Sequence, residues 1–463
     1  MPTIKTPIIP SRPTFANVKA PHELDKKAIC VFAATGFFLD TDTYFKDLMV
    51  LPPASNCEVD AEGYFIKSTP WFQWYHNPRE LTFEEALEEF TQLFEKIIDE
   101  QIGAKKVILP LSGGLDSRTQ ATALRYLEKD VNSYSYDFKG GYPETGIGKQ
   151  IAQECDFNFA AYHIEKGYLW DCIEELATIN QCYSEFTHPR QMALVKEYAT
   201  MGELFSLGHW GDVLFDGSGV NSQLSETELV SYVLKKILKK GGMELANSLW
   251  EEWKLEETFT KYLQNRVETL LKKIKIQDTS AKIRAFKSLY WAPRWSAPNL
   301  AVFETQHPIS LPYFDNRMCQ FICEIPEAYL ADRKLQIAYI KKRNPALAKI
   351  RWEQHKPFNL YTFQQNKSPN NLPYRVAQKL KREVQAKLGK PYIQRNWELQ
   401  FLGMENDAAL QDYLFAENLH PFISKPLLAQ YYNKFKHVDA VTYSHPLSML
   451  LTLALKMKQL KHG

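Results

Sequence analysis

Six consecutive residues, Ser112-Gly-Gly-Leu-Asp-Ser117, bring together two hydroxyls, two glycines and a carboxylate. Glycine permits a tight turn and leaves main-chain amides bare for a ligand. Amides at the start of a helix, with a hydroxyl on each side, suit phosphate. Asp116 would repel phosphate unless a divalent cation sits between them, so its place in the motif implies Mg²⁺. A second acid, Asp212, stands further along in Gly208-His-Trp-Gly-Asp-Val-Leu-Phe-Asp-Gly217. Together these residues suggest chemistry on a metal-bound phosphate group.

Such residues need a scaffold to converge. Val107, Ile108, Leu109 and Leu111 form a short apolar run behind Lys105 and Lys106, which reads as a buried strand of a parallel sheet. Helical spacing follows from Leu115 to Leu127. The rhythm repeats with a strand at 131–136, a helix at 143–154 and a strand at 160–164. Helices at 168–180 and 189–202 follow, and then a strand at 203–207 that runs into Gly208. This alternation predicts an α/β fold with a parallel sheet wrapped by helices. Ligands in such folds sit at the carboxyl ends of the strands, where Ser112–Ser117 and Gly208–Asp212 both fall.

The flanks divide the chain into three expected parts. Residues 1–80 read as a small β-rich subdomain: a loose arm over 1–27, a strand at Ile29–Ala34, and a strand pair over Glu58–Ile66 with a turn at Ala61–Gly63. Residues 81–360 form the nucleotide-binding part, opened by a capping box at Thr82-Phe-Glu-Glu85 and a long amphipathic helix. From 225 to 343 the pattern is helical, broken at Trp291–Trp295. Pro308–Asp315 is extended, with Asp315 and Arg317 expected as a structural ion pair. Residues 361–463 form a helical C-terminal part. It begins with a linker or lid at 361–374 and a basic amphipathic helix at 375–388, whose Val376, Leu380, Val384 and Leu388 share a face. Helices near 407–418, 424–436 and 445–460 follow.

Composition narrows the partners. The 463 residues are 24% charged and 45% hydrophobic with a net charge of +2. That balance gives no global electrostatic case for nucleic acid. No apolar run approaches membrane-spanning length and no secretory signal is visible, so a cytoplasmic location is expected. Seven scattered cysteines argue for reduced thiols. Cys319 and Cys323, four apart, read as small buried hydrophobes rather than a metal pair.

Ser-Gly-Gly-Leu-Asp-Ser after an apolar strand resembles the PP-loop of ATP pyrophosphatases, an adenine nucleotide alpha hydrolase-like fold. The chain from about residue 80 onward is similar to the synthetase half of the asparagine synthetase family. Gly211-Asp-Val-Leu-Phe-Asp-Gly217 is similar to that family's Gly-Asp-Glu-Leu-Phe-Gly-Gly, and Leu311-Pro-Tyr-Phe-Asp-Asn-Arg317 to its Val-Pro-Phe-Leu-Asp-His-Arg. Ile325-Pro-Glu-Ala-Tyr329 and a lysine before Phe358 also fit. Residues 37–66 are similar to the last strands of the family's glutaminase domain, a remnant of it.

The resemblance implies ATP and Mg²⁺ as cofactors and an acyl-adenylate intermediate. Ser112, Gly113, Gly114 and Ser117 would hold pyrophosphate; Leu111 and Ser135 would border the adenosine, with Gly208 and Gly211 beside the nucleotide. Asp116 and Asp212 would hold the metal. Lys356 would stabilise developing negative charge, against a reading as a solvated loop lysine. The departures are equally specific. The glutaminase nucleophile is an N-terminal cysteine, whereas here Pro2 follows Met1 and the first cysteine is Cys30. Nitrogen is therefore expected from ammonia, a substrate amine or a separate glutaminase. Val213 replaces an acid, and His307-Pro308 stands where the family carries a substrate-handling carboxylate, with Glu304 further upstream. Lys356 is two residues before Phe358, where the family shows three.

The leading expectation is an AMP-forming amide ligase acting on a small carboxylate, or on a peptide substrate. A macrolactam- or β-lactam-synthetase-like enzyme, a tRNA-modifying PP-loop enzyme and a non-catalytic nucleotide-binding homologue are the alternatives.

Overall fold

The computed structural model describes residues 2–220, 223–417, 419 and 421–462. At its centre is a five-stranded sheet built from β6 to β10. The ten strands in chain order are β1 (Thr3–Lys5), β2 (Phe15–Asn17), β3 (Leu48–Val50), β4 (Ser55–Val59), β5 (Phe65–Pro70), β6 (Val107–Pro110), β7 (Val131–Phe138), β8 (Asn158–Ile164), β9 (Leu204–Ser206) and β10 (Ile309–Ser310). The central order is β10-β9-β6-β7-β8, every pair parallel. Successive connections from β6 lead to one side and the return through β9 lies on the other. The open end of β6 is thus the crevice where such sheets take ligands.

The N-terminal arm is not loose. β1 pairs antiparallel with β4, which pairs with β5 around the expected turn, and β2 pairs with β3. Ile8 and Ile9 are buried, and the Ile8 amide donates to Asn316 Oδ1 at 3.0 Å. Ile29–Ala34 is not a strand either. It lies within helix α1 (Lys26–Thr35), capped by the Asp25 side chain on the Ala28 amide and ended by Gly36 at φ 81°. An all-apolar run carries no period, so it fits a helix buried on every side as well as a strand. The Asp25 and Gly36 caps are the signals that distinguish them. A Cβ on Gly242 would come within 2.4 Å of the Ala34 carbonyl oxygen, so α1 packs on the helix Gly242–Glu252 almost backbone to backbone.

Helix α2 (Phe83–Ile102) starts with the capping box: Thr82 Oγ1 accepts from the Glu85 amide, and Glu85 accepts from the Thr82 amide at 2.7 Å. Its Ala86, Phe90, Phe94, Ile97 and Ile98 are buried. Thr82→Ala should lower stability by about 1 kcal/mol in urea unfolding, with little change in the slope. Helices α3 (Asp116–Tyr126), α4 (Thr145–Glu154) and α5 (Tyr168–Asn180) follow as the periodicity predicts.

Two helical expectations change. Residues 189–202 are not one helix but a 3-10 segment, Arg190–Leu194, and one helical turn, Val195–Tyr198. Gln191 Oε1 accepts from Tyr134 OH at 2.9 Å and Tyr198 OH at 2.5 Å, a tertiary tie that outweighs local helical regularity. Trp291–Trp295 is not a break: Lys287–Ser296 is a π-helical stretch that accommodates Pro293 and continues into Ala297–Glu304.

The basic helix forms at Leu372–Lys387 with no buried residue, and Val376, Leu380 and Val384 are exposed. Phe363, within the expected linker, packs on Trp352. The C-terminal helices are Met404–Leu414, Lys425–His437 and Ala440–His462; Asn396–Phe401 is an additional one. Among the described residues no helix is long and apolar enough to cross a membrane.

Candidate active site

A cavity of about 570 Å³ opens at the carboxyl end of β6 and β7. Leu111, Ser112, Gly113, Asp116, Ser117, Ser135 and Gly208 line it. The Ser112 amide donates to Ser117 Oγ at 3.1 Å, and the two hydroxyl oxygens lie 3.1 Å apart. The Gly114 amide donates to Ser112 Oγ at 3.2 Å. No side chain caps the start of α3, so its first amides stay available. Ser135 Oγ donates to the Leu111 carbonyl at 2.5 Å and so ties β7 to the start of the loop.

The loop glycines serve close approach rather than turn geometry. Neither Gly113 nor Gly114 has a positive φ. A Cβ on Gly113 would sit 2.6 Å from Glu353 Cβ. Gly208 and Gly211 have the same function around Asp116: a Cβ on Gly208 would lie 2.9 Å from Asp116 Cβ, and one on Gly211 2.2 Å from Asp116 Oδ1 and 2.8 Å from Tyr313. Gly211 is therefore packed behind the carboxylate and does not line the cavity.

Asp116 is held from behind. Arg333 forms an ion pair with Oδ1, and Gln336 Nε2 donates to the same oxygen at 3.1 Å. Gln336 also donates to Tyr313 OH, and Arg333 Nε donates to Gln336 Oε1 at 2.6 Å. Asp332 and Arg333 both have left-handed φ, which turns the Arg333 side chain inward. Burial pushes the Asp116 carboxyl up to about 6; Arg333 pulls it down and Asp212 pushes it up again. Asp212 is exposed, on the single turn Gly211–Leu214. Asp116 Oδ2 has no protein donor among the described residues. Asp212 does not line the cavity, but its charge is felt at Asp116, and an open carboxylate oxygen near a second acid has the donor chemistry of a hard divalent cation whose other ligands would be phosphate and water.

Lys356 does not line this cavity. It faces an adjoining groove of about 800 Å³ and pairs with Glu353, which borders both spaces. The loop that carries them is anchored by Arg118, wholly buried on α3. Its guanidinium donates to the carbonyls of Ile350 at 3.0 Å and Arg351 at 2.7 Å, and the Glu353 amide donates to the Gly113 carbonyl at 3.0 Å. Glu144 lines both spaces too; burial and the neighbouring Glu353 raise its carboxyl above the ordinary range, opposed by Arg190 and Lys356.

Several residues in and behind the walls carry no sequence signal of their own: Glu353 and His188 line the cavity, and Arg118 and the neighbouring Arg333 and Gln336 lie behind it, all brought together only in the fold. His209 lines the cavity; burial pushes its imidazole down to about 4, with Asp212 opposing. Trp210, at φ 74°, is buried beneath, its indole donating to Ser288 Oγ. His307 contacts the Tyr198 carbonyl and Glu304 pairs with Arg12; neither lines the cavity. Asp315 and Arg317 form the expected pair, Nε to Oδ1 at 2.9 Å. Cys319 and Cys323 are buried, and so is Cys30.

A parallel sheet with a serine-glycine loop and an acid at the end of its central strand places the chain in the α/β class that binds ligands at strand ends. The asparagine synthase family model matches residues 89–336, more than half of the chain, so the chain belongs to that family of ATP-using synthetases. Among solved structures, it is similar to the NH3-dependent NAD synthetase of Campylobacter jejuni subsp. jejuni NCTC 11168 in complex with the nitrate ion. The identity is 17%, over 41% of this chain and 94% of that one, with a TM-score of 0.21. That low score adds nothing to the fold assignment. No curated protein sequence matches the chain.

Proposed function

We propose that this chain is an AMP- and pyrophosphate-forming carbon–nitrogen ligase. It joins a carboxylate to ammonia or an amine through an acyl-adenylate. The observation that carries this reading is the Ser112–Ser117 loop opening, with Asp116, into the cavity at the end of β6. A carboxylate does not condense with an amine in water because its oxygen is a poor leaving group. Attack of the carboxylate on the α-phosphorus of ATP replaces that group with AMP and releases pyrophosphate.

The loop amides and the hydroxyls of Ser112 and Ser117 bind the departing pyrophosphate; their mutual hydrogen bonds are exchanged for bonds to phosphate oxygens. Asp116 and Asp212 would hold Mg²⁺, which when bound supplies neutralising charge to the leaving group. Ser135, bonded to the Leu111 carbonyl, fixes the wall beside which the adenosine lies. Cys30 sits buried inside α1, which suits nitrogen delivered as ammonia, as a substrate amine or from a separate glutaminase. The groove beyond Glu353 adds Arg351, Arg375, Lys379 and Arg382 to the approach, which favours an acid substrate larger and more anionic than aspartate.

The test is product analysis with ATP, a panel of carboxylates, and ammonia or small amines. AMP and pyrophosphate are expected in equal amounts; ADP and phosphate as products would overturn the reading. Lys356→Met should lower turnover about 10- to 100-fold with the KM for ATP nearly unchanged, if Lys356 leaves Glu353 to meet developing charge. A change below about 2-fold would return Lys356 to a structural partner of Glu353.

A further inference from the structure

The cavity that the phosphate loop lines is also bordered by His188, which is bonded to a buried Glu185, and adenylation uses neither. Glu185 and His188 lie in the turn between α5 and the 3-10 segment Arg190–Leu194. The Glu185 side chain is 3% exposed. Its Oε2 accepts from the Thr187 amide at 2.7 Å, Thr187 Oγ1 at 2.6 Å and Ser448 Oγ at 2.5 Å. Ser448 belongs to the helix Ala440–His462, so the carboxylate is pinned from two distant parts of the chain. Its Oε1 lies 3.1 Å from His188 Nε2. Burial works against its charge, yet His188 and these donors hold the carboxyl down to about 2.

An ionised Glu185 accepts only, so Nε2 of His188 carries the hydrogen and Nδ1 the lone pair. The imidazole lines the cavity and lies edge-on to Trp295 at 5.3 Å between ring centres. No protein group among the described residues bonds Nδ1. Burial lowers the imidazole below its ordinary range, with Glu185 opposing and Lys239 and Arg190 adding to the fall. His445, the other titratable group coupled to it, is itself pushed down to about 4 by burial, its Nε2 on the Ala33 carbonyl. With Nε2 taken up by Glu185 and the imidazole below its ordinary range, Nδ1 is the nitrogen left free on a ring that borders the cavity. A purely structural pair has no need of such a cavity-lining face.

We infer that His188 is the general base of the amide-forming step and that Glu185 is its positioning residue, an assignment that rests on the ligase reading. The amine nitrogen forms a bond to the acyl carbon. The bond from that carbon to the AMP phosphate oxygen breaks, and its electron pair leaves with AMP. The proton shed by the nitrogen passes to His188 Nδ1 and then to solvent.

Two half-reactions separate the roles. Carboxylate-dependent exchange of labelled pyrophosphate into ATP reports adenylation, and amide formation reports the second step. His188→Gln should reduce amide formation about 100-fold more than exchange and abolish the acid limb of its pH profile. Imidazole added to His188→Ala should restore part of the amide rate. Glu185→Gln, which keeps the shape, should move the acid limb to lower pH because the carboxylate no longer raises the ring's basicity. Equal losses in both half-reactions, or an unmoved pH profile in Glu185→Gln, would overturn the assignment. If the unmodified chain exchanges no pyrophosphate with any carboxylate, the ligase reading itself falls. If exchange is normal and His188→Gln forms amide at full rate, only the base assignment falls.

Discussion

Asp116→Asn is expected to cut pyrophosphate release by about 10³-fold and, above pH 6, to make the protein more stable. The two effects share one cause. Asp116 is buried beside Gly208 and Gly211, and burial outweighs the attraction of Arg333, leaving its carboxyl at about 6. In the unfolded chain it ionises in the ordinary carboxylate range. The folded state therefore holds the proton more tightly, and this group's contribution to stability falls as pH rises from about 4 through 6. Asparagine keeps the shape and the Gln336 contact but carries no charge. It should raise unfolding stability by about 3 kcal/mol at pH 8 and change it little at pH 4, where the folded aspartate is also neutral. Urea unfolding at the two pH values checks this. A variant equally destabilised at both would show that Arg333 depends on the charge more than the charge suffers from burial. Stored instability at a charged site is a common feature of catalytic centres.

The second large effect is expected from Arg118. Its guanidinium reaches the carbonyls of Ile350 and Arg351 and, at 3.4 and 3.5 Å, those of Leu347 and Gly113. Burial lowers it to about 10, well within the charged range at neutral pH. Arg118→Met fills much of the same volume but takes the guanidinium away from the carbonyls of Ile350 and Arg351, while those of Leu347 and Gly113 keep the amides of Ile350 and Glu353. We expect a loss of about 3 kcal/mol in unfolding stability. We also expect faster proteolysis of the loop 350–358, because the anchor that seats Glu353 against Gly113 is gone. Arg118→Lys should recover little, since one ammonium cannot reach the carbonyls of Ile350 and Arg351 together with those of Leu347 and Gly113. An unchanged urea midpoint in Arg118→Met would mean that the helix Pro345–Lys349 holds the loop without it.

These residues show unequal legibility. Strand β6, the loop and α3 could be read because each depends on neighbours in sequence: an apolar run, two glycines, a helical period. The parallel sheet followed from the alternation of such units. Helix α1 was misread because its apolar residues face the core on every side and so carry no periodicity. The 3-10 wall at Arg190–Leu194 was missed because Gln191 is held by Tyr134, which is far away in the chain, as well as by the nearby Tyr198. The loop glycines were legible as necessary but for another reason: Gly113 makes room for Glu353 and Gly211 for Asp116, which are contacts rather than turns.

What the residues themselves indicated is a phosphate site with room for a cation: Ser112–Ser117 at the end of an apolar strand, with Asp116 in it and Asp212 to follow, the nucleotide being implied only by the family resemblance. Local chemistry suffices for that, because strand, turn and helix start are short-range features. Only the tertiary structure decided what surrounds the loop. It put Arg333 and Gln336 behind Asp116, moved Lys356 into a neighbouring groove beside Glu353, and set His188, held by Glu185, at the border of the cavity. Contacts between residues so far apart in the chain depend on how the helices pack around the sheet, and no local pattern encodes that packing.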